Sequence, residues 1–253
     1  MKMRKRANSG QILLIAAFIM ASLLVSAQLY ILEVGKTSGE VESDSLSDFI
    51  SSIQFGSRNV VIGSLANVSN GGLSNTFELN LREWAAFIAN QYLYGKSILY
   101  YTLRDTAPYS SGIWLDWSLN GYGASSACVN FTHRLSGLEA SVDHSYLTNI
   151  TTTLLIASTN RRLSENAMQV NVTINVLNEA EPALAKRITL YYRVSNSWLI
   201  PDMANNYTLL DYGNGTYLAS FVATFPTESV EVSAHIVDYR DICVQANTTS
   251  TEI

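Results

Sequence analysis

A run of 21 residues without a charged side chain, from Ile12 to Leu32, constrains this chain more than any other feature. The run is dense in Leu, Ile, Ala and Val, and a helix of that length spans roughly 31 Å at about 1.5 Å per residue. The hydrocarbon core of a bilayer is about 30 Å thick. The sequence therefore predicts a transmembrane helix over residues 12–32 and a lipid bilayer as a partner.

The basic residues before this run predict its orientation. Lys2, Arg4, Lys5 and Arg6 lie in the leader, residues 1–11, and no charged residue follows them until Glu33. The positive-inside rule retains such a leader in the cytoplasm and sends the later residues outward. We therefore expect a single-pass cell-membrane protein with a cytoplasmic N-terminus and an extracellular C-terminal domain.

The remainder of the chain is acidic. Of the 16 basic residues, 12 remain when the leader's four are set aside, and they face 21 acidic residues, a net charge of −9. Phosphate binding requires a basic surface. The composition therefore argues against nucleic acid as a partner.

Two processing routes compete with an unprocessed anchor. Val25-Ser26-Ala27 has the small residues of a signal-peptidase site, and cleavage there would release a secreted body. The other route depends on the leader Arg4-Lys5-Arg6-Ala7-Asn8-Ser9-Gly10-Gln11 and the apolar residues that follow it.

That leader resembles the start of archaeal type IV pilin-like precursors. The resemblance covers about the first 35 residues and implies cleavage between Gly10 and Gln11, with other envelope or pilus-like proteins as partners. The acidic residue that pilins carry at the fifth mature position is Ile15 here. The resemblance therefore favours a pilin-like anchor over a major filament subunit.

Beyond the anchor, residues 40–104 carry apolar side chains at helical spacing. They predict a helical hairpin, with a first helix from about Asp44 to Ala66 and a second that continues to about Arg104. Asn67-Val68-Ser69-Asn70-Gly71-Gly72 supplies the turn between them.

The apolar period changes to two in the second half of the chain. Val170, Val172, Ile174 and Val176 alternate with polar residues, and the same alternation recurs near residues 188–194, 217–225 and 230–236. Such strands without intervening helices predict an antiparallel β-sandwich over residues 124–247. The complete expectation is an α+β fold: a transmembrane helix, a helical hairpin and a β-sandwich.

The turn Asp211-Tyr212-Gly213-Asn214-Gly215-Thr216-Tyr217 contains an Asn-Gly pair, which tight hairpins favour. Residues 168–244 around it resemble immunoglobulin-like modules of prokaryotic surface proteins. The resemblance implies an extracellular spacer or adhesive module without catalytic residues.

The outward part of the chain carries candidate modification sites. Seven Asn-x-Ser/Thr sequons are candidates for glycosylation. They begin at Asn67, Asn130, Asn149, Asn171, Asn206, Asn214 and Asn247. The two cysteines, Cys128 and Cys243, are candidates for a disulfide in an oxidising exterior, and two buried thiols are the alternative.

A Pro- and Gly-containing loop holds Trp114, Asp116 and Trp117. Two exposed indoles beside a carboxylate could stack on sugar rings and accept their hydroxyl protons, which makes glycan a candidate ligand. The alternative is that these aromatic residues cover the junction between the hairpin and the β domain.

We find no catalytic, cofactor or metal motif. His133, His144 and His235 lack metal-ligand spacing, and Asp143, His144 and Ser145 are neighbours that point to opposite faces of an extended chain. The leading hypothesis is a non-enzymatic envelope protein with a structural or adhesive role. The alternatives are an anchored module that binds a glycan or a transporter's substrate, and an anchored hydrolase.

Overall fold

The computed structural model describes residues 46–92, 95–117, 121–137, 141–224 and 229–252. The chain divides into two compact units, Met1–Ile53 and Gln54–Ile253. Of the first unit, the structure describes residues 46–53, which belong to a helix, α1, over residues 46–69. The predicted leader, cleavage site (Gly10, Gln11) and apolar run lie outside the described residues. Among the described helices, none combines the length and apolar character that crossing a membrane requires.

The predicted α+β class and its long helical hairpin are wrong for the described residues. About 56% of the structure is β sheet, and its described residues contain two α-helices. The second helix, α2, spans Asn75–Ile88, and the stretch expected to continue it forms strand β1, Gly95–Leu103. Tyr92 and Ile98 are included in the apolar pattern from which a helix is predicted. Pairing of β1 with a neighbouring strand overrides that local pattern.

The predicted turn after α1 is confirmed, although α1 ends at Ser69, three residues beyond the predicted end at Ala66. Gly71 adopts φ 93°, a left-handed conformation that glycine reaches without steric cost. The Gly72 N–H donates to the Asn67 carbonyl at 2.9 Å and the Gly71 N–H to the Val68 carbonyl at 3.0 Å. These two bonds form a Schellman motif, which ends α1 and reverses the chain toward α2.

Thirteen strands follow within the described residues. In chain order they are β1 Gly95–Leu103, β2 Ile113–Trp117, β3 Tyr122–Gly137, β4 Ser141–Arg162, β5 Ala167–Asn178, β6 Glu181–Pro182, β7 Ala185–Val194, β8 Ser197–Leu199, β9 Thr208–Asp211, β10 Thr216–Thr224, β11 Glu231–Asp238, β12 Cys243–Thr249 and β13 Thr251–Glu252. A short 3₁₀ helix, Met203–Asn205, lies between β8 and β9.

The strands form two sheets. The first has the order β1-β3-β4-β5-β10-β9, with β2 added beside β3, β6 beside β5 and β13 beside β4. The second has the order β12-β11-β7-β8. All pairs are antiparallel except the short β13–β4 pair. Consecutive strands pair in β3–β4–β5, β7–β8, β9–β10 and β11–β12, as antiparallel hairpins allow, whereas the β5–β10 and β7–β11 pairs join strands apart in sequence after the chain has crossed between the sheets.

The two sheets enclose one apolar core, and the predicted strand alternation is confirmed. Val170, Val172, Ile174 and Val176 of β5 are fully buried. They belong to one cluster with residues of β7, β10, β11 and β12. Tyr192 of β7 and Phe221 of β10 meet across the sheets, with ring centroids 5.0 Å apart. This inter-sheet packing makes the molecule sandwich-like.

A second contact determines which sheet edges align. The Ser125 hydroxyl of β3 donates to the Cys243 carbonyl of β12 at 2.6 Å. The β12 edge of the second sheet therefore lies over β3 and β4 of the first. In these strand orders β8 and β9 are the edges of the two sheets on the other side of the sandwich.

We predict that Phe221→Ala destabilises the protein by about 3–5 kcal/mol, because it leaves a cavity between the sheets. Phe221 is 0% exposed, whereas Phe55 is 68% exposed, so Phe55→Ala is a matched control expected to cost less than about 1 kcal/mol. Urea unfolding of both variants measures the difference. Equal losses would contradict the position of Phe221 at the centre of the core.

Candidate contact surface

Large apolar side chains are exposed where β8 and β9 form neighbouring edges of the two sheets. We define this surface, the open edge, by Trp198, Leu199, Ile200, Met203, Leu209, Leu210 and Tyr212. Their exposed fractions run from 41% for Leu209 to 95% for Met203. Exposed single apolar residues are ordinary, but seven within fifteen positions, on both faces of the two edge strands, are a concentration of the kind found at interaction sites.

Two members of the open edge are directed toward the core and are still exposed. Leu199 pairs with the buried Tyr192, and Leu209 pairs with the buried Ala219, so each shares the inner face of its sheet with its partner. Leu199 is 43% exposed and Leu209 is 41% exposed. The core is therefore incompletely covered on this side of the sandwich.

The segment between the two edge strands is held rigidly. Asp202 caps the 3₁₀ helix by accepting hydrogen bonds from the Ala204 and Asn205 N–H groups, and the Asn205 side chain completes the capping box. The Asn205 amide also donates to the Val222 carbonyl at 3.1 Å, which ties the segment to β10. Met203 is thus an apolar side chain presented on a fixed turn.

The predicted glycan-contact residues lie on β2 and do not converge. Trp114 and Asp116 share one face of the strand, whereas Trp117 points to the other, because successive side chains alternate. The Trp117 indole N–H donates to Ser125 Oγ at 3.1 Å and its ring packs against the core. Trp114 packs edge-on against Tyr109. All three side chains are half-buried, so they are not the pair of exposed indoles beside a carboxylate that the sequence suggested.

Cys128 and Cys243 are free thiols. Ser125 faces β12, so Cys128, three positions further along β3, points to the opposite face of its sheet. Cys243 alternates with the core residue Val244 and therefore points away from the core. The two thiols diverge, so the structure contains the free-thiol alternative. Burial raises the pKa of the Cys243 thiol, which keeps it protonated.

The candidate glycosylation sites differ in accessibility. Asn67, Asn130, Asn149, Asn206 and Asn214 are exposed, and Asn171 and Asn247 are half-buried. Two of these sequons have structural contacts. The Asn149 side-chain oxygen accepts hydrogen bonds from Tyr109 and Ser126, and the buried Ser69 hydroxyl of the Asn67 sequon accepts the Cys243 N–H. Asn206 and Asn214 lie in the connections on either side of β9, beside the open edge.

The histidines occupy separate environments. His133 is buried on β3, where its Nε2 lies 2.9 Å from Ser97 Oγ. Burial, and to a smaller extent the neighbouring His144, lower its pKa. His144 lies within hydrogen-bond distance of Gln54, and Asp143 instead forms a two-bond ion pair with Arg134. His235 lies on the outer face of β11 beside Tyr191, and burial lowers its pKa.

A charged cluster surrounds Asp238, whose carboxylate is fully buried. It accepts hydrogen bonds from the Arg240 guanidinium at 2.8 Å, from Thr152 at 3.0 Å and from the Ile242 N–H at 3.0 Å. Arg240 also binds Glu179 at 2.7 Å. Every charge in this cluster has a partner, so it fixes the β11–β12 turn onto β4.

A groove lies between α1 and α2. Its volume is about 480 Å³, and Val60, Gly63, Trp84 and Phe87 supply most of its apolar lining. Of the described residues that line this groove, only Glu83 is ionisable. Among the described residues, no group of His, Cys, Asp and Glu side chains is arranged to hold a metal ion. The groove therefore brings no acid–base pair together.

No protein-family model, curated protein or solved structure matches this chain. The case for the open edge as a functional site therefore comes from its geometry and not from a known relative. It was missing from our sequence-based expectations, although one signal was present. The segment from Val194 to Thr224 contains Trp198-Leu199-Ile200 and no Lys or Arg, the residues that usually protect sheet edges.

We predict that acidification below about pH 6.5 lowers the free energy of unfolding. The folded-state pKa of His133 and of His235 lies below the ordinary value, so the unfolded chain binds more protons in this range. The loss of unfolding free energy begins near the unfolded-state histidine pKa of about 6.5 and is complete below the folded-state pKa values. Urea unfolding between pH 7.5 and pH 5 tests this, and His133→Gln should flatten the dependence. A stability that rises on acidification would contradict it.

We predict that Leu209→Ala costs less than half the stability lost in Leu190→Ala. Both side chains face the core, but Leu190 is 2% exposed and Leu209 is 41% exposed. Truncation of a fully buried Leu costs about 2–5 kcal/mol. Chemical denaturation of the two variants compares them. Equal losses would show that the core is closed at Leu209.

Proposed function

We propose that this protein is a membrane-anchored envelope protein whose β body lies outside the cell and makes structural or adhesive contacts through the open edge. The observation that carries this proposal is the exposure of Leu199 and Leu209, two core-directed side chains. Exposed apolar surface of this kind is stabilised when a partner covers it.

The sequence supports the anchoring part of the proposal. The apolar run of residues 12–32 has the length of a single-pass anchor, and its basic leader favours a cytoplasmic N-terminus. The likeness of the leader to archaeal pilin-like precursors supports membership of a surface assembly, with cleavage after Gly10. Sequons at the exposed Asn130, Asn206 and Asn214 are compatible with an extracellular, glycosylated body.

The strand order supports an immunoglobulin-like body. In chain order, β4, β5, β7, β9, β10, β11 and β12 correspond to strands A to G of that fold. The resulting sheets, β4-β5-β10-β9 and β12-β11-β7, then have the orders ABED and GFC of constant-type immunoglobulin domains. Cell-surface domains commonly use this sandwich as a spacer or adhesive module.

Amine labelling of intact cells that make the protein tests its orientation. Lys96 and Lys186 are exposed on the body, whereas Lys2 and Lys5 belong to the leader. A membrane-impermeant reagent should modify Lys96 and Lys186 without permeabilisation, and mass spectrometry identifies the labelled peptides. Labelling of Lys96 only after permeabilisation would contradict an extracellular body.

Photo-cross-linking on the same cells tests the contact surface. A cross-linker placed at Met203 should capture envelope proteins, because Met203 is the most exposed member of the open edge. The matched control is Tyr239, which is 69% exposed on the β11–β12 turn. Equal capture at both positions, or no capture at Met203, would contradict a specific contact through the open edge.

A further inference from the structure

The backbone of β9 leaves hydrogen-bonding groups directed away from the protein. Tyr212 N–H donates to the Thr216 carbonyl at 3.1 Å, and antiparallel pairing alternates from that point. Leu210 and Thr208 therefore bond to β10, whereas the N–H and C=O groups of Leu209 and Asp211 point outward. Within the described chain, β9 pairs only with β10.

The side chains of β9 offer apolar contacts to an additional strand on both faces of the sheet. Leu209 lies on the inner face, at the incompletely covered end of the core, and Leu210 lies on the outer face opposite Leu218. A strand added beside β9 would satisfy the outward backbone groups and cover Leu209. Edge strands that lack bulges and basic residues are templates for this pairing.

The charges around β9 favour a basic occupant. Asp202 and Asp211 are the only side chains charged at neutral pH between Val194 and Thr224, and both are exposed. The nearby Arg193 is neutralised by Glu231 at 2.7 Å. A second copy of this chain would bring two acidic edges together, whereas a partner with basic residues at the ends of its strand would complement them.

We infer that the open edge binds an extended segment of another protein, apolar at alternate positions and basic at both ends, as a strand added beside β9. This inference rests on the proposed contact function and specifies the chemistry of the partner. Main-chain hydrogen bonds to Leu209 and Asp211 supply part of the affinity, and the uncovered core beside Leu199 and Leu209 selects apolar side chains.

The test uses the full chain in lipid nanodiscs and a synthetic peptide, Lys-Val-Thr-Val-Thr-Val-Lys, with calorimetry and Trp fluorescence as readouts. Binding should weaken about tenfold or more when alternate peptide nitrogens are methylated, because those N–H groups can no longer pair. It should also weaken when Glu replaces both terminal Lys residues. Equal binding of the methylated peptide, or absence of binding by the parent peptide, would overturn strand addition. Equal binding of the peptide with terminal Glu residues would overturn the inference that the partner is basic at both ends.

A pair of protein variants separates the backbone from the side chain. Leu209→Pro removes one outward N–H and leaves the β10 pairing intact, whereas Leu209→Ala removes the same side chain and keeps the N–H. Stronger loss of peptide binding in Leu209→Pro than in Leu209→Ala is the expected result, and equal loss contradicts strand addition. If Leu209→Pro fails to fold, binding of the methylated peptide to the unaltered protein tests strand addition instead.

Sedimentation and cellular cross-linking distinguish the remaining outcomes. A dimer of the unaltered protein that Leu209→Pro dissociates would show that a second copy occupies the edge, which overturns the inferred partner. If Met203 forms cross-links on cells but the purified protein does not bind the peptide, the proposed contact function stands and strand addition alone is overturned. Peptide binding without those cross-links would contradict the proposed function instead.

Discussion

Two sheets with one apolar face each can exclude water from those faces only by packing against one another, and the described fold depends on this constraint. Val172 of β5, Phe221 of β10 and Tyr192 of β7 meet in that shared core. The polar partners on alternate positions remain on the outer faces, where water satisfies them. The register of the strands is determined by this division, because a shift of one residue would expose the entire apolar set.

The same constraint explains why the two ends of the sandwich differ. At the β12 side, β3 and β4 extend past the second sheet, and the Ser125–Cys243 bond and the paired charges around Asp238 complete the closure. At the β8–β9 side, the second sheet ends with a three-residue strand and the first with a four-residue strand. Leu199 and Leu209 are directed inward there but find too little cover. A surface for recognition thus arises where the packing requirement is left incomplete.

Local patterns predicted some elements well and others poorly. The alternation in β5, β10 and β11 was sufficient to identify those strands, because a strand with one buried and one solvated face has apolar and polar residues at alternate positions. Strand β1 was mistaken for helix because its apolar residues follow soon after those of α2 and were read as one pattern, and only its pairing with β3 decides the conformation. Trp114, Asp116 and Trp117 were grouped by proximity in sequence, but a strand places neighbours on opposite faces. The open edge combines residues of two strands in different sheets, so the local signal, an apolar segment without Lys or Arg, could not show that those strands are edges.

The sequence by itself determined the apolar run, the acid–base asymmetry, the sequons and the alternating strands, since each depends on residues close together in the chain. Tertiary structure decided which strands lie at edges, which cysteines diverge and which inward-facing leucines remain uncovered. Those properties depend on contacts between segments far apart in the chain. Burial is a property of the assembled sheets, and an isolated strand cannot specify what will cover it.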